Sequence, residues 1–437
     1  MYGMDRVEMG LVGIAVLLLL LALRVPIGVG LALVAFFGVA IVTNGNVAFG
    51  LLSNVPYEFI GDWSLSAVPM FMFMGFLATE MKLTSSLFGA MRILLAGLPG
   101  SLAVSSVSAC AMFAAASGSS VATSASMSRI AVPEMLKLGY NPGLATGAVA
   151  SAGTLGSLIP PSILMVIFGI FAEVSIGKLF AAGILPGILS AIMFCLMIIV
   201  RAKLNPKLAP DMVEKPSAAD RIWALRQIWP LPLLVVGVLG GIYAGIFTPT
   251  EAGAVGSGLT VLIALVQHNF NWMRAWTAAR QAVEGTASIF IIAVGAGLFA
   301  RFMALTGVPD FLAGSFLTSD SQILLILQLS LLFLLLGCFI DSIGIMLLTL
   351  PIILPLLHQA DVSLIWFGVI LIKLLEIGLV TPPVGLNVFV MKSSLGNLVT
   401  LPQIFRGVSW FIVADLVTLG LLIAFPAISL WLPSMMR

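Results

Sequence analysis

The chain has 437 residues, of which 60% are hydrophobic and only 9% are charged, and its mean hydropathy is +1.18. A water-soluble domain of this size needs roughly a quarter of its residues charged to cover its surface, so most of this surface must face lipid. The net charge of +2 gives no support to nucleic-acid binding. The long apolar runs lack the alternation of a β-barrel, which predicts an all-α polytopic membrane protein.

The apolar runs fall into two halves, each with a predicted helical hairpin. In the first half the predicted spans are 9–23, 26–43, 67–80, 142–176 and 180–199, and the hairpin tip lies near 117–120. In the second half they are 231–247, 250–267, 285–304, 363–391 and 408–432, and the hairpin tip lies near 341–344. A polar, basic stretch with three prolines separates them, which predicts a first repeat at 1–200, a cytoplasmic linker at 201–230 and a second repeat at 231–437.

The two halves share the same spacing of turn and helix-breaking residues. Four features recur at one offset of 222 residues, namely Ser120 with Ser342, Pro133 with Pro355, Gly156 with Gly378, and Pro160-Pro161 with Pro382-Pro383. With the N-terminus outside, most of the 20 basic residues fall on the inner side, and the two hairpins enter from opposite faces. The sequence therefore predicts inverted repeats with both termini in the periplasm.

Each half brings a polar tip and a double proline to the middle of the bilayer. Proline breaks the helical ladder, and lipid cannot satisfy the backbone groups that are freed, so they must face protein, ions or a cavity. Carbonyl and hydroxyl oxygens suit Na⁺, and helix N-termini suit a carboxylate. Small polar residues also line close helix contacts in membranes, but the repeated spacing favours a site.

Ionisable side chains within the spans add to this hypothesis. Asp341 at a hairpin tip costs at least ~2.5 kcal/mol to insert and so is expected to have a function. Lys373 and Glu376 are three residues apart on one helix and are expected to pair, whereas Asp415 is equally consistent with a structural role. No nucleotide-binding loop and no His/Cys/Asp cluster is present in the sequence, so an enzyme or an ATP-driven pump is not expected.

At these motifs the sequence resembles the large membrane subunit of a tripartite ATP-independent periplasmic (TRAP) transporter of the dicarboxylate type. The segments that carry the resemblance are 117–123 (SGSSVAT), 139–142 (GYNP), 156–162 (GSLIPPS), 248–253 (TPTEAG) and 381–387 (TPPVGLN). Such subunits have an elevator-type fold with re-entrant hairpins and broken helices. They take up small organic acids, such as C4-dicarboxylates or sialic acid, with Na⁺ across the inner membrane.

The resemblance implies a set of site residues and partners. One sodium site would involve Ser117, Ser120, Gly156, Ile159 and Pro161, and a second would involve Gly337, Gly378, Thr381 and Val384. Substrate would lie near Ser119, Asp341, Ser342 and Asn387, and Glu251 is expected to be structural. A periplasmic binding protein would deliver the substrate. The first span begins at Met9, so the small four-helix membrane subunit is expected to be a separate protein.

Two alternatives remain open from the sequence. The first is a self-sufficient carboxylate carrier that is driven by Na⁺ or H⁺ and needs no binding protein. The second is a channel or a membrane scaffold, although inverted halves with broken helices are not typical of channels. The identity of the organic acid is not readable from these motifs.

Overall fold

The computed structural model describes residues 5–83, 86–210, 216–316 and 321–436, and within these ranges the regular secondary structure is entirely helical. In the first half the helices are α1 Arg6–Ala22, α2 Ile27–Val42, α3 Gly45–Ile60, α4 Ala67–Glu80, α5 Leu87–Leu94, α6 Ser101–Ser117, α7 Ser120–Lys137, α8 Pro142–Leu158, α9 Ile163–Phe171 and α10 Ile176–Leu204. A linker helix, α11, covers Ala218–Ile228. In the second half they are α12 Pro230–Tyr243, α13 Pro249–Val266, α14 Trp272–Thr306, α15 Val308–Phe316, α16 Gln322–Gly337, α17 Ser342–Gln359, α18 Leu364–Gly378, α19 Leu386–Leu395, α20 Leu401–Ala424 and α21 Ala427–Ser434.

The helix boundaries repeat at the offset seen in the sequence. Helix α7 spans 120–137 and α17 spans 342–359, so both ends are displaced by 222 residues. The starts of α2 and α13, and of α8 and α18, differ by the same 222 residues. One departure is that α14 is a continuous helix of 35 residues, whereas its counterpart is divided into α3 and α4 with a bend of 56° between them.

The predicted hairpins and breaks are confirmed, with more precise boundaries. Helices α6 and α7 turn at Gly118 and Ser119, where Gly118 adopts φ +59° and the Ser119 hydroxyl accepts a hydrogen bond from the Ala122 N–H. Helices α16 and α17 turn over 338–341, and the Asp341 carboxylate caps α17. The double prolines separate α8 from α9 and α18 from α19, and both Pro-Pro bonds are cis. Side-chain caps satisfy N–H groups that a helix start would otherwise leave unpaired.

Several helices were not among the predicted spans. Helices α3, α5, α11 and α15 lie between predicted spans or in the predicted linker, and the predicted span 408–432 is interrupted at Pro426, where α20 gives way to α21. Within the described residues, six helical segments are long and apolar enough to cross a membrane, or eight if two bent pairs each count as one. Short or bent helices were missed because they carry too few apolar residues for a hydropathy window.

Glycine allows the closest helix contacts in the packed interior. A Cβ on Gly147 in α8 would lie 2.6 Å from the Gly407 carbonyl oxygen in α20, and a Cβ on Gly28 in α2 would lie 2.6 Å from the Ile291 carbonyl oxygen in α14. Helix α4 also packs against α13 and α14, whereas α8 packs against α6, α7 and α20. The first hairpin and the broken helices therefore pack around α8, whereas α17 of the second hairpin packs against α14, within a second group that contains α2, α4, α13 and α14.

Candidate functional site

The first hairpin tip is seated on the first helix break. The Ser120 hydroxyl in α7 lies 2.5 Å from the Ser157 hydroxyl and donates to the Thr154 carbonyl oxygen at 3.1 Å, both in α8. A Cβ on Gly156 would lie 2.7 Å from the Ser119 carbonyl group. A Cβ on Gly118 would lie equally close to the Pro161 carbonyl oxygen. Of the residues predicted for the first sodium site, Ser120, Gly156 and Pro161 therefore lie at contacts between tip and break, whereas the Ile159 side chain packs against Gly187 of α10.

The second tip is seated on the second break in a similar way. Gly337, at the end of α16, faces Gly378, at the end of α18, and a Cβ on Gly378 would lie 2.7 Å from the Gly337 Cα. The Val384 N–H donates to the Cys338 carbonyl oxygen at 3.3 Å. The Thr381 hydroxyl donates to the Ile377 carbonyl oxygen at 2.6 Å, within its own segment. The four predicted residues therefore lie around one junction of tip and break.

Both tips border a single cavity of about 160 Å³. Ser119 and Ser120 contribute from the first tip, and Asp341 and Ser342 from the second. Among the described residues that line the cavity, Asp341 is the only charged one. One oxygen of its carboxylate accepts from the Gly344 N–H at 3.1 Å. The Ser342 hydroxyl is buried and has no hydrogen-bond partner among the described residues.

Asn387 lies at the N-terminal end of α19 and is not among the residues that line this cavity. Its side chain is fully buried, and neither its amide nitrogen nor its amide oxygen has a partner among the described residues. Buried amide groups are normally hydrogen-bonded, so these two atoms are available to a ligand or a water molecule. A substrate-binding role for Asn387 stays a prediction.

Sequence reasoning missed the apolar wall of the cavity. Met72 from α4 and Ile289 from α14 line it together with Ile163, Leu164, Leu379 and Leu386. Isolated apolar residues in apolar helices carry no distinguishing signal, because every span contains many of them. Only the packing of α4 and α14 against the hairpins places these side chains opposite the tips.

The expectation that Lys373 and Glu376 pair is confirmed. The Lys373 ammonium lies 3.2 Å from a Glu376 carboxylate oxygen and 2.6 Å from a carboxylate oxygen of Asp415. Asp415 therefore belongs to the same ion-pair network. Glu251 has the structural role expected of it, because it accepts from the Thr248 N–H and closes a capping box at the start of α13.

Comparison with known proteins identifies the architecture. Residues 14–428 match the family model described as "Tripartite ATP-independent periplasmic transporter, DctM component". The chain belongs to the DctM family. This family is the large permease component of tripartite transporters, so the chain is a multi-pass protein of the inner membrane.

Individual relatives agree with the family assignment. The DctM chain described here is 35% identical to the C4-dicarboxylate TRAP transporter large permease protein of Pseudomonas aeruginosa, over 86% of this chain and 88% of that protein. It is 31% identical to the sialic acid TRAP transporter large permease protein of Vibrio cholerae, over 95% of this chain and 96% of that protein. The solved YdaH transporter of Alcanivorax borkumensis shares the fold, with a TM-score of 0.63 at 14% identity, over 88% of this chain and 89% of that one.

Proposed function

We propose that this DctM-family permease couples a sodium gradient to the uptake of a small organic acid by an elevator mechanism. The substrate class is a carboxylate such as a C4-dicarboxylate or sialic acid, because two relatives are named for these compounds. A periplasmic binding protein would deliver the acid, and a separate small membrane subunit would hold the permease in place. Both termini would lie in the periplasm.

One observation carries the proposal. The two hairpin tips, one from each half of the chain, meet at a single cavity, and each tip rests on its own broken helix. Discontinuous helices from two inverted halves that converge on one site are the plan of secondary transporters. The DctM-family match supports the transport of a substrate that arrives from the periplasm, since the family belongs to tripartite periplasmic transporters.

The residues at the two junctions of tip and break fit sodium. The first junction offers hydroxyl and carbonyl oxygens of Ser117, Ser120, Gly156, Ile159 and Pro161, and the second offers carbonyl and hydroxyl oxygens of Gly337, Gly378, Thr381 and Val384. Hard oxygen donors of this kind suit alkali cations, and the breaks leave carbonyls without helical partners. Sodium, when bound, would supply positive charge beside the cavity, where Asp341 is the only charged lining residue described.

Substrate recognition would then fall to the tips. The N-terminus of α7 opens at Ser119 and that of α17 opens at Asp341, so N–H groups at both helix starts lie beside the cavity. Such N–H groups favour a carboxylate. The Asp341 oxygen that does not cap α17 is suited to a hydroxyl group of the substrate rather than to its carboxylate.

The packing also supports the proposed motion. We expect 97–176 and 310–391 to move and 9–43 and 231–267 to stay fixed. Helix α20 approaches α8 at Gly147 and Gly407 so closely that it should travel with the moving group. Met72 and Ile289, which belong to the group of α2, α4, α13 and α14, would remain in place as the tips slide past them.

Uptake by proteoliposomes that contain the permease, its small subunit and its binding protein would test this function. We expect uptake to require external Na⁺ with a Hill coefficient above one, and Asp341→Ala to abolish uptake while the folded protein still binds its small subunit. Full uptake in sodium-free buffer under a pH gradient would contradict sodium coupling. Equal uptake by the permease alone would contradict the tripartite assignment and favour a self-sufficient carrier.

A further inference from the structure

A buried ion-pair network lies outside the cavity that the two tips border. Lys373, Glu376 and Asp415 are each fully buried, on α18 and α20. The Lys373 ammonium donates to Asp415 at 2.6 Å, to Glu376 at 3.2 Å and to the Ser190 hydroxyl of α10 at 3.0 Å. All three ammonium hydrogens are therefore used, and the hydrogen bond to Ser190 joins the second half of the chain to the first.

Such a network is costly within a membrane protein. Desolvation of buried charges often outweighs their mutual attraction, and an apolar replacement of the same volume is frequently as stable. Ionisable groups retained inside membrane segments usually serve a function. One carboxylate oxygen of Asp415 has no hydrogen-bond partner among the described residues, so the network is not optimised for stability alone.

The contact with Ser190 matters because the same face of α10 also contacts the first helix break. Gly183, Gly187 and Ser190 follow one another at spacings of four and three residues, so they share one face of this helix. A Cβ on Gly183 would lie 2.6 Å from the Leu158 carbonyl oxygen, and a Cβ on Gly187 would lie 2.6 Å from the Ile159 side chain. The first helix break therefore rests on the α10 face that continues to Ser190.

Further contacts hold the second broken helix to this face of α10. The Ser190 hydroxyl accepts from Lys373 and donates to the Pro186 carbonyl oxygen at 2.9 Å within α10. The Lys373 ammonium also lies 5.6 Å from the ring centroid of Phe194, one turn further along α10. Helix α10 thus contacts the first break through its glycines and α18 through Lys373.

We propose that Lys373 is a positioning residue that joins the two broken helices, through α10, into one mechanical unit. A displacement at the first break is transmitted along the α10 face to Lys373 and α18, and so reaches the second break five residues beyond Lys373, at Gly378. In a carrier with one sodium site at each break, this link makes the two sites cooperative. That last consequence rests on the proposed function, whereas the mechanical link does not.

A cysteine reporter tests the link without sodium. In a chain whose Cys110, Cys195 and Cys338 are replaced by Ala, Val384→Cys places a thiol at the second break, where Val384 is 40% exposed. Gly183→Ala then perturbs the first break, because its methyl group meets the Leu158 carbonyl oxygen. We expect Gly183→Ala to change the thiol modification rate in sodium-free buffer by about fivefold, the lower end of typical coupling between sites.

Two variants remove the link in different ways. Ser190→Ala removes the Lys373 contact with the α10 hydroxyl, and the triple variant Lys373→Met, Glu376→Gln and Asp415→Asn removes all three charges together, which leaves no unpaired buried charge. We expect the effect of Gly183→Ala on the reporter to shrink in the first variant and to shrink further in the second, where the direct packing of α18 against α8 and α9 remains. Ser330→Ala is the matched control, because the Ser330 hydroxyl is buried and, among the described residues, donates only to the Ile326 carbonyl oxygen of its own helix.

The outcomes separate the two proposals. An unchanged effect of Gly183→Ala in the triple variant, or no effect of Gly183→Ala on the reporter in the parent, overturns the mechanical link. A sodium titration of the melting temperature then tests its consequence, because the triple variant should reduce the Hill coefficient toward one while sodium still stabilises the protein. Absence of sodium stabilisation in the parent protein would contradict sodium coupling and would leave the reporter result standing.

Discussion

Gly156→Ala is the substitution that most directly tests how the first tip is seated on its break. The added methyl group would lie 2.7 Å from the carbonyl carbon and oxygen of Ser119 and 3.0 Å from the Ser120 nitrogen. These atoms are all backbone, so no side chain can rotate away to make room. The tip must therefore move as a whole.

The size of the movement follows from these distances. Ordinary contact begins near 3.4 Å, so a 2.7 Å approach requires a shift of about 0.7 Å. Binding constellations tolerate only about 0.5 Å of displacement, and overpacking costs about 1–3 kcal/mol. Because about 1.4 kcal/mol corresponds to a tenfold change in affinity, a cost in this range should raise the half-saturating sodium concentration by roughly 5- to 150-fold.

Sodium titration of the melting temperature of the purified protein measures this change, and sodium-dependent uptake by proteoliposomes confirms its functional effect. Gly420→Ala in α20 is the control, because the methyl group that it adds meets no atom of the described residues within 4 Å beyond its chain neighbours and its own helix backbone. That control should bind sodium like the parent and be slightly more stable, since Ala favours a helix over Gly. If the Gly156→Ala protein has the same sodium response as its parent, close contact between the first tip and its break is not required for sodium binding, and the reasoning is refuted.

Three further predictions follow from other contacts. Gly378→Ala would place a methyl group 2.7 Å from the Gly337 Cα, so sodium titration should show a weakened response at the second junction, and an unchanged response would exclude Gly378 from the site. In a chain without native cysteines, Ile27→Cys with Gly344→Cys should form a disulfide between α2 and α17, because the Ile27 side chain contacts Gly344. Oxidation should then stop uptake and reduction should restore it, and unaffected turnover would contradict the elevator motion. Glu251→Ala should lower the melting temperature through loss of the capping box, without altering the sodium response measured in the same melting experiment.

The sequence by itself determined the membrane-spanning class, the two hairpins, the two breaks and their common offset. These features are local, because a long apolar run requires a helix in lipid and a double proline interrupts that helix wherever it stands. The positions of Ser119, Asp341 and the Pro-Pro pairs were therefore readable before any packing was known. The paired role of Lys373 and Glu376 was also readable, since residues three apart share a helix face.

The tertiary structure alone decided which distant segments meet. Met72 and Ile289 reach the cavity only because α4 and α14 pack beside the hairpins, and Ser190 reaches Lys373 across 183 residues of chain. Packing also buries the Asn387 side chain completely and leaves both its amide atoms without a partner among the described residues, and its role at the substrate stays a prediction. Hydropathy and residue spacing report the environment along one helix, whereas these contacts depend on how several helices are oriented relative to one another. That orientation is set by the close approach of glycines such as Gly147 and Gly407.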